Sequence, residues 1–321
     1  MRVRAKTVWV SGFAVIASLA MSACGQVATL QAHKAFKDAN GSYQQQDYKE
    51  AATGYEVVVR AIDPANPDPR LTPAYFYLGN SYDNLYRPSR KGEAANDELL
   101  TKAIENYKLA AEREPDPKRQ KLAMQYLVAS YGADKMNDPS QQEPIVLKMI
   151  ELDPADTANY FVLSKIYEDA GSYDQAETML LKAKEAKPDD AAVYMQLARY
   201  YNSQGEFSKT IDALQQRASR DPNNPEAHYT IASYYWDEAF RDFRLKEDQK
   251  RDYVSRGLDA VNQAIKIKTD YIEAITYKGL LLRLQANLEK DVSRQQALLK
   301  EAEALQAQAK ELQKKKTEGV S

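Results

Sequence analysis

Side chains of matching type recur 34 residues apart through the middle of this chain. Tyr160, Leu163, Tyr167, Gly171, Tyr173 and Pro188 are repeated at that spacing by Tyr194, Leu197, Tyr201, Gly205, Phe207 and Pro222. A fixed period of this length is the mark of a stacked array of short helical units rather than one closed core. Tyr160, Leu163 and Tyr167 are three and four residues apart, which places them on one face of a helix. Ser164 and Ala198 are small enough to let a partner helix come close. Gly171 and Gly205 suit a turn that needs positive φ. A second helix follows through Ala176, Leu180 and Ala183, and through Thr210, Leu214 and Ala218 in the next copy. The residue before each proline is pushed out of the helical region, so Pro188 and Pro222 end these second helices.

The pattern extends in both directions. Tyr75, Leu78, Gly79 and Tyr82 begin another copy, with Ala103, Tyr107, Ala110 and Pro115 in its second helix. Met124, Leu127 and Tyr131 lead into Val146, Met149 and Pro154. His228, Ile231, Ala232 and Tyr235 lead into Val261 and Ala264. Degenerate copies lie at Tyr48, Ala51, Tyr55 and Pro64, and at Ile275, Gly279 and Leu282. A helix rich in Ala, Gln, Leu and Lys then runs from about Val292 to Lys315.

These residues resemble the tetratricopeptide-repeat (TPR) pattern: an aromatic, then Leu, a small residue and Tyr, then Ala, a large apolar residue and Pro. The resemblance implies an all-α, right-handed superhelical solenoid of about six to seven helix pairs over 34–288, with a C-terminal capping helix and tail over 289–321. It also implies that the first helix of each pair lines a concave face. Residues one step off the packing stripe are then expected to form a partner-binding groove: Phe76, Asn80 and Asp83; Phe161, Lys165 and Glu168; Met195, Arg199 and Asn202; Tyr229, Ser233 and Trp236. Their mixed chemistry suits a helix or an extended peptide. The other reading is that Phe76, Phe161, Met195 and Tyr229 complete the packing between repeats. The basic clamp with which some TPR proteins bind acidic tails does not fit. Asn80 is suitably placed for it, but Phe76 stands where Lys is needed, and the next copy offers Gln125 and Ala129.

Two copies carry inserts of about 12 and 13 residues between their helices, after Tyr82 and after Tyr235. Each sets an aromatic residue beside an arginine, Tyr86 with Arg87 and Phe240 with Arg241. Two readings stay open: lengthened helices with a solvated loop, or a rim that touches a partner, since aromatics and Arg anchor interfaces.

Composition narrows the function. With 44 Lys+Arg against 46 Asp+Glu there is no basic excess to neutralise phosphates, so nucleic acid is not an expected partner. The chain has 22 Tyr against 7 Phe and 2 Trp, and Tyr fits half-buried positions with a wet tip. Its two histidines, His33 and His228, fall in different repeats without Cys or His at metal-ligand spacing. His228 takes the packing position that Tyr holds in sister repeats. No nucleophile elbow, phosphate loop or paired-His helix is present. We therefore expect no catalytic residues, metal, cofactor or small-molecule substrate, and no enzymatic activity.

The first 23 residues read as an export signal. Arg2, Arg4 and Lys6 precede a short apolar run, Val8 to Ala20, and removing them leaves the remainder mildly acidic. The run is short of the ~20 residues that span a bilayer. Leu19-Ala20-Met21-Ser22-Ala23-Cys24 resembles the lipobox of bacterial lipoproteins, although Met21 stands where that family usually has Leu. The resemblance implies lipidation of Cys24, the sole cysteine, and a short tether over 24–33. The alternative is ordinary cleavage after Ser22 and a secreted soluble protein. Gly25 does not resemble the Asp that retains lipoproteins in an inner membrane. In a cell with two membranes the expected site is therefore the outer membrane, facing the periplasm. The expectation is a non-catalytic scaffold of the bacterial cell envelope that binds protein partners. The alternatives are a self-assembling structural lipoprotein or a regulatory subunit of an envelope enzyme.

Overall fold

The structure, a computed structural model, describes residues 29–319. Among the described residues there are fourteen α-helices and no strand. They are α1 (29–44), α2 (Tyr48–Ala61), α3 (Pro73–Leu85), α4 (Ala94–Arg113), α5 (Pro117–Ser130), α6 (Pro139–Leu152) and α7 (Thr157–Asp169), followed by α8 (Tyr173–Ala186), α9 (Ala191–Ser203), α10 (Phe207–Arg220), α11 (Pro225–Arg241), α12 (Glu247–Ile267), α13 (Ile272–Leu288) and α14 (Val292–Thr317). A single 3-10 turn, Pro88–Arg90, precedes α4.

Two compact units divide the chain, one ending at Pro154 and the other beginning at Ala155. The border falls between a second helix and the next first helix. In the N-terminal unit α1 and α2, α3 and α4, and α5 and α6 form three pairs. In the C-terminal unit four pairs run from α7 and α8 to α13 and α14. Within each unit the helices pack on their neighbours in sequence, and α11 also touches α13, the first helix of the following pair. No pair closes a core alone; burial comes from stacking.

Local chemistry sets the boundaries. Asp156, Asp190 and Asn224, spaced 34 apart, each accept a hydrogen bond from the backbone N–H two residues on, at 3.2, 2.9 and 3.0 Å. These caps satisfy donors that have no partner inside the helix, each worth about 1 kcal/mol. Gly171 and Gly205 turn the chain at φ 74° and 72°, as their spacing predicts. Gly79 has another role. A Cβ there would lie 2.9 Å from the Tyr107 ring and 3.0 Å from the Ala103 carbonyl, so only glycine lets α3 and α4 approach this closely.

The core residues are those the period picks out. Tyr75, Leu78, Ala103, Tyr107 and Ala110 are buried in the N-terminal unit. Leu163, Ala176, Leu180, Ala183, Tyr194, Leu197, Ala198 and Leu214 are buried in the C-terminal one. Both inserts mainly lengthen helices. The first makes α4 20 residues long, and the second makes α11 17 and α12 21. The final helix, α14, packs along α13 and buries Ala302 and Ala309.

Candidate partner-binding surfaces

In the N-terminal unit, the C-terminal end of α1, the start of α2, α3, α5 and the turn after α5 surround a cavity of about 450 Å³. Tyr43, Tyr48, Asn80, Asp83, Asn84, Tyr126 and Lys135 line it. A hydrogen-bonded chain forms its floor. The Tyr43 hydroxyl donates to Asn80 Oδ1 at 2.7 Å, and Asn84 Nδ2 donates to the same oxygen at 2.8 Å. Asn80 Nδ2 donates to the Tyr107 hydroxyl at 3.2 Å, which donates in turn to Asp83 Oδ2 at 3.3 Å. Lys135 Nζ closes the chain on Asp83 Oδ1 at 2.5 Å. Burial, and then the Asp83 charge, push the Tyr107 hydroxyl above the usual tyrosine range. Burial, and then Tyr48, push that of Tyr43 up to about 12. Both hydroxyls therefore stay protonated donors at neutral pH.

Rings pack behind this floor. Tyr43 meets Tyr48 edge-on at 5.6 Å and Tyr77 at 5.1 Å. Phe76 meets Tyr126 at 5.2 Å, nearly perpendicular, and Tyr107 at 5.8 Å. Such pairs contribute about 0.5–1.5 kcal/mol beyond area burial.

The expected groove residues divide here. Asp83 lines the cavity. Asn80 is buried but presents its amide to the cavity wall. Phe76 is corrected: it is only 8% exposed, wedged among Tyr77, Tyr107 and Tyr126, and it packs rather than presents. In the first insert the aromatic of the pair does not face outward. Tyr86 is 3% exposed. Asn96 of α4 pins the turn, accepting from Arg87 N at 2.9 Å and donating to the Arg87 and Arg90 carbonyls, each at 3.1 Å. The lengthened-helix reading describes that insert. Arg87 itself is exposed, and its guanidinium donates to the Asn84 carbonyl at 2.7 Å.

In the C-terminal unit Phe161, Glu168, Met195, Tyr229, Ser233 and Trp236 are half-buried, while Lys165, Arg199 and Asn202 are exposed. Lys165 pairs with Asp169 at 2.6 Å. The Arg217 guanidinium lies 3.9 Å from Met195 Sδ. Tyr229 and Trp236 come together on Tyr277 of α13, at 5.3 and 5.5 Å, and Trp236 stacks on Phe240 at 5.1 Å. The second insert keeps exposed aromatics: Phe240 at 60% and Phe243 at 88%. Arg241 pairs with Asp237 at 2.7 Å. A cleft of about 400 Å³ brings Asn202 of α9 together with Phe207, Glu238, Arg241 and Phe243. Burial, and then Asp242, raise the Glu238 carboxyl above its ordinary value.

Sequence reasoning missed Tyr43, Tyr48, Tyr126, Lys135 and Tyr277 as surface-forming residues. The first two sit where the repeat is degenerate. Lys135 lies in a turn, 52 residues from its partner Asp83. The excess of tyrosine was the one available signal.

His228 Nε2 lies 2.9 Å from the carbonyl of Pro222, the proline that closes the preceding repeat. Among the described residues no cluster of His, Cys, Asp or Glu could hold a metal ion. Among them, too, no helix is long and apolar enough to cross a membrane. Cys24 lies outside the described residues.

Stacked pairs of this kind define the tetratricopeptide-repeat fold. A family model described as "Tetratricopeptide repeat" matches residues 146–200. Among solved structures, the C-terminal part of a TPR repeat-containing protein from Cytophaga hutchinsonii aligns with 84% of this chain and 95% of its own, at 14% identity and a TM-score of 0.55. MamA aligns with 62% of this chain and 94% of its own, at 20% identity and a TM-score of 0.42. YrrB, described as a TPR protein with an unusual peptide-binding site, aligns with 68% and 99%, at 17% identity and a TM-score of 0.39. No curated protein matches the chain. The repeat match covers residues 146–200, and the likeness to the Cytophaga structure shows a tetratricopeptide-repeat fold.

Proposed function

We propose that the chain is a non-catalytic protein-binding scaffold of the bacterial cell envelope. It holds a partner segment on first-helix residues within its units. The observation that carries this reading is the cavity of the N-terminal unit, where hydroxyl, amide, carboxylate and ammonium groups converge on one open, aromatic-backed surface. Groups of that kind suit the backbone and mixed side chains of a peptide. The envelope part of the proposal rests on the lipobox-like run ending at Cys24, which gives an acyl anchor and, with Gly25 following, the outer membrane facing the periplasm.

The test is affinity capture from detergent-solubilised membranes, comparing the parent chain with a Phe161→Ala, Arg199→Ala double variant. Enrichment of the same protein partner by the parent, and its loss from a variant of unchanged helical content, is the expected result. Absence of any enriched protein counts against the scaffold. Labelling with a palmitate analogue tests the anchor, and a Cys24→Ser chain that still labels removes it.

A further inference from the structure

We propose that the groove between α13 and α14 is a second docking site, which takes an amphipathic helix of a partner protein whose apolar stripe is flanked by Asp or Glu. This site is separate from the surfaces of the scaffold reading, and either can fail alone.

Helix pairs stack because each presents a groove that the next first helix fills. The preceding pair shows the arrangement. There α13 lies on both α11 and α12. Its Ala274 and Leu281 are buried in one core with Ala232, Val254 and Val261. Its Tyr277 rests on Tyr229 at 5.3 Å and on Trp236 at 5.5 Å. Among the described residues no helix fills the corresponding groove between α13 and α14, which has a volume of about 390 Å³. Counted from the small residues Ala232 and Gly279, Thr276 and Arg283 stand where the preceding pair has Tyr229 and Trp236. One ring is thus exchanged for a short side chain and the other for a cation, and both new residues line the groove.

The lining defines the chemistry of the occupant. Ile272, Gly279, Leu280, Ala302 and Ala309 make its apolar floor. The lining on α13 runs from Ile272 to Arg283, about 17 Å or three turns of helix. A helix has satisfied its own backbone groups and needs only such a floor, whereas an extended segment would set unpaired amides against it. The charges then select the flanks. Arg283 stands on the α13 side and Lys310 on the α14 side, and no carboxylate lines the groove. Among the described residues Arg283 donates to Gln306 Oε1 at 3.1 Å, and neither cation has an ion-pair partner. Carboxylates on both sides of an apolar stripe answer both cations. A second copy answers them poorly. Pairing this face on itself brings no carboxylate from the lining. The first helix of another copy, α1, exposes Lys34 and Lys37 against a single acid, Asp38.

The experiment is fluorescence anisotropy on the full chain in mild detergent, with three labelled helical probes. One carries a Leu/Ala stripe flanked by Glu, one the same stripe flanked by Lys, and one the Glu residues with Gln in place of the stripe. Saturable binding of the first probe alone is expected, weakening as salt is raised. An Arg283→Gln, Lys310→Gln double variant breaks no ion pair of the free chain and should weaken binding about fivefold to tenfold. The Thr276 and Ala309 methyl NMR signals of the parent chain should shift on titration, a readout independent of how the variant folds. No saturable binding below about 1 mM, equal binding by the double variant, or equal binding of either other probe overturns the inference. So does self-association of the parent chain that Leu280→Glu abolishes, because a second copy then fills the groove. The capture test of the scaffold reading alters Phe161 and Arg199, neither of which lines this groove, so the two results are read separately.

Discussion

The Tyr194 hydroxyl donates to the Pro188 carbonyl at 2.6 Å, so the first helix of one repeat ties down the proline that ended the preceding one. His228 does the same for Pro222 one period later, through Nε2 at 2.9 Å. A packing histidine thus substitutes for tyrosine with the contact preserved. The Arg220 guanidinium also reaches Pro188 O, at 3.1 Å. Tyr194→Phe therefore leaves that carbonyl partnered and should cost about 1 kcal/mol, one net hydrogen bond. Thermal melting of the variant checks this, and an unchanged midpoint would mean the bond contributes nothing.

Glycine should show opposite behaviour at two helical positions. Gly79→Ala forces a methyl against the Ala103 carbonyl, which is backbone and cannot swing away, and should destabilise by about 1–3 kcal/mol. Gly41 lies in α1, and a Cβ added there would meet nothing within 4 Å, so Gly41→Ala should stabilise by about 0.5–1 kcal/mol. Paired melting curves on the two variants read both signs at once.

Alkali should loosen the N-terminal unit. The Tyr43 hydroxyl titrates at about 12 in the fold because burial disfavours its phenolate, against 10 for an ordinary tyrosine. A raised folded value means the stabilisation is whole below pH 10 and is lost as pH rises from 10 towards 12. Tyr43→Phe should flatten that part of the pH–stability curve. Phenolate absorbance followed against pH, with circular dichroism alongside, measures it.

Acid acts in the opposite sense at the second insert. The Arg244 side chain and backbone hydrogen-bond to Asp242 and bring its carboxyl down to about 2. A lowered folded value means this contribution is complete above 3.8, the ordinary aspartate value, and disappears as pH falls towards 2. In Arg244→Ala the Asp242 carbon signal, followed by NMR, should titrate closer to 3.8.

The helix pairs were legible because each repeat writes the same physical demands at the same interval. A face at three- and four-residue spacing, a small residue, a turn glycine and a proline stop recur through Tyr160 to Pro222. The cavity was not legible. Its walls come from α1, α2, α3, α5 and a turn, and Lys135 reaches Asp83 only once folding brings the turn after α5 to α3. Phe76 was misplaced because one step off the packing stripe counts as surface only beside slim neighbours. Tyr77, Tyr107 and Tyr126 are broad enough to cover it. For the inserts, sequence showed length and an aromatic-Arg pair. It did not show that Asn96 would hold one of them in place.

That difference between the two inserts bears on where the chain can be nicked. Asn96 stitches the turn around Arg87 and Arg90 to α4, and Tyr86 lies beneath it, so a protease finds no slack there. Between α11 and α12 the chain passes through Phe243 with its ring almost bare. An enzyme that cuts after aromatic residues should open the C-terminal unit at Phe243 long before it reaches the buried ring of Tyr86.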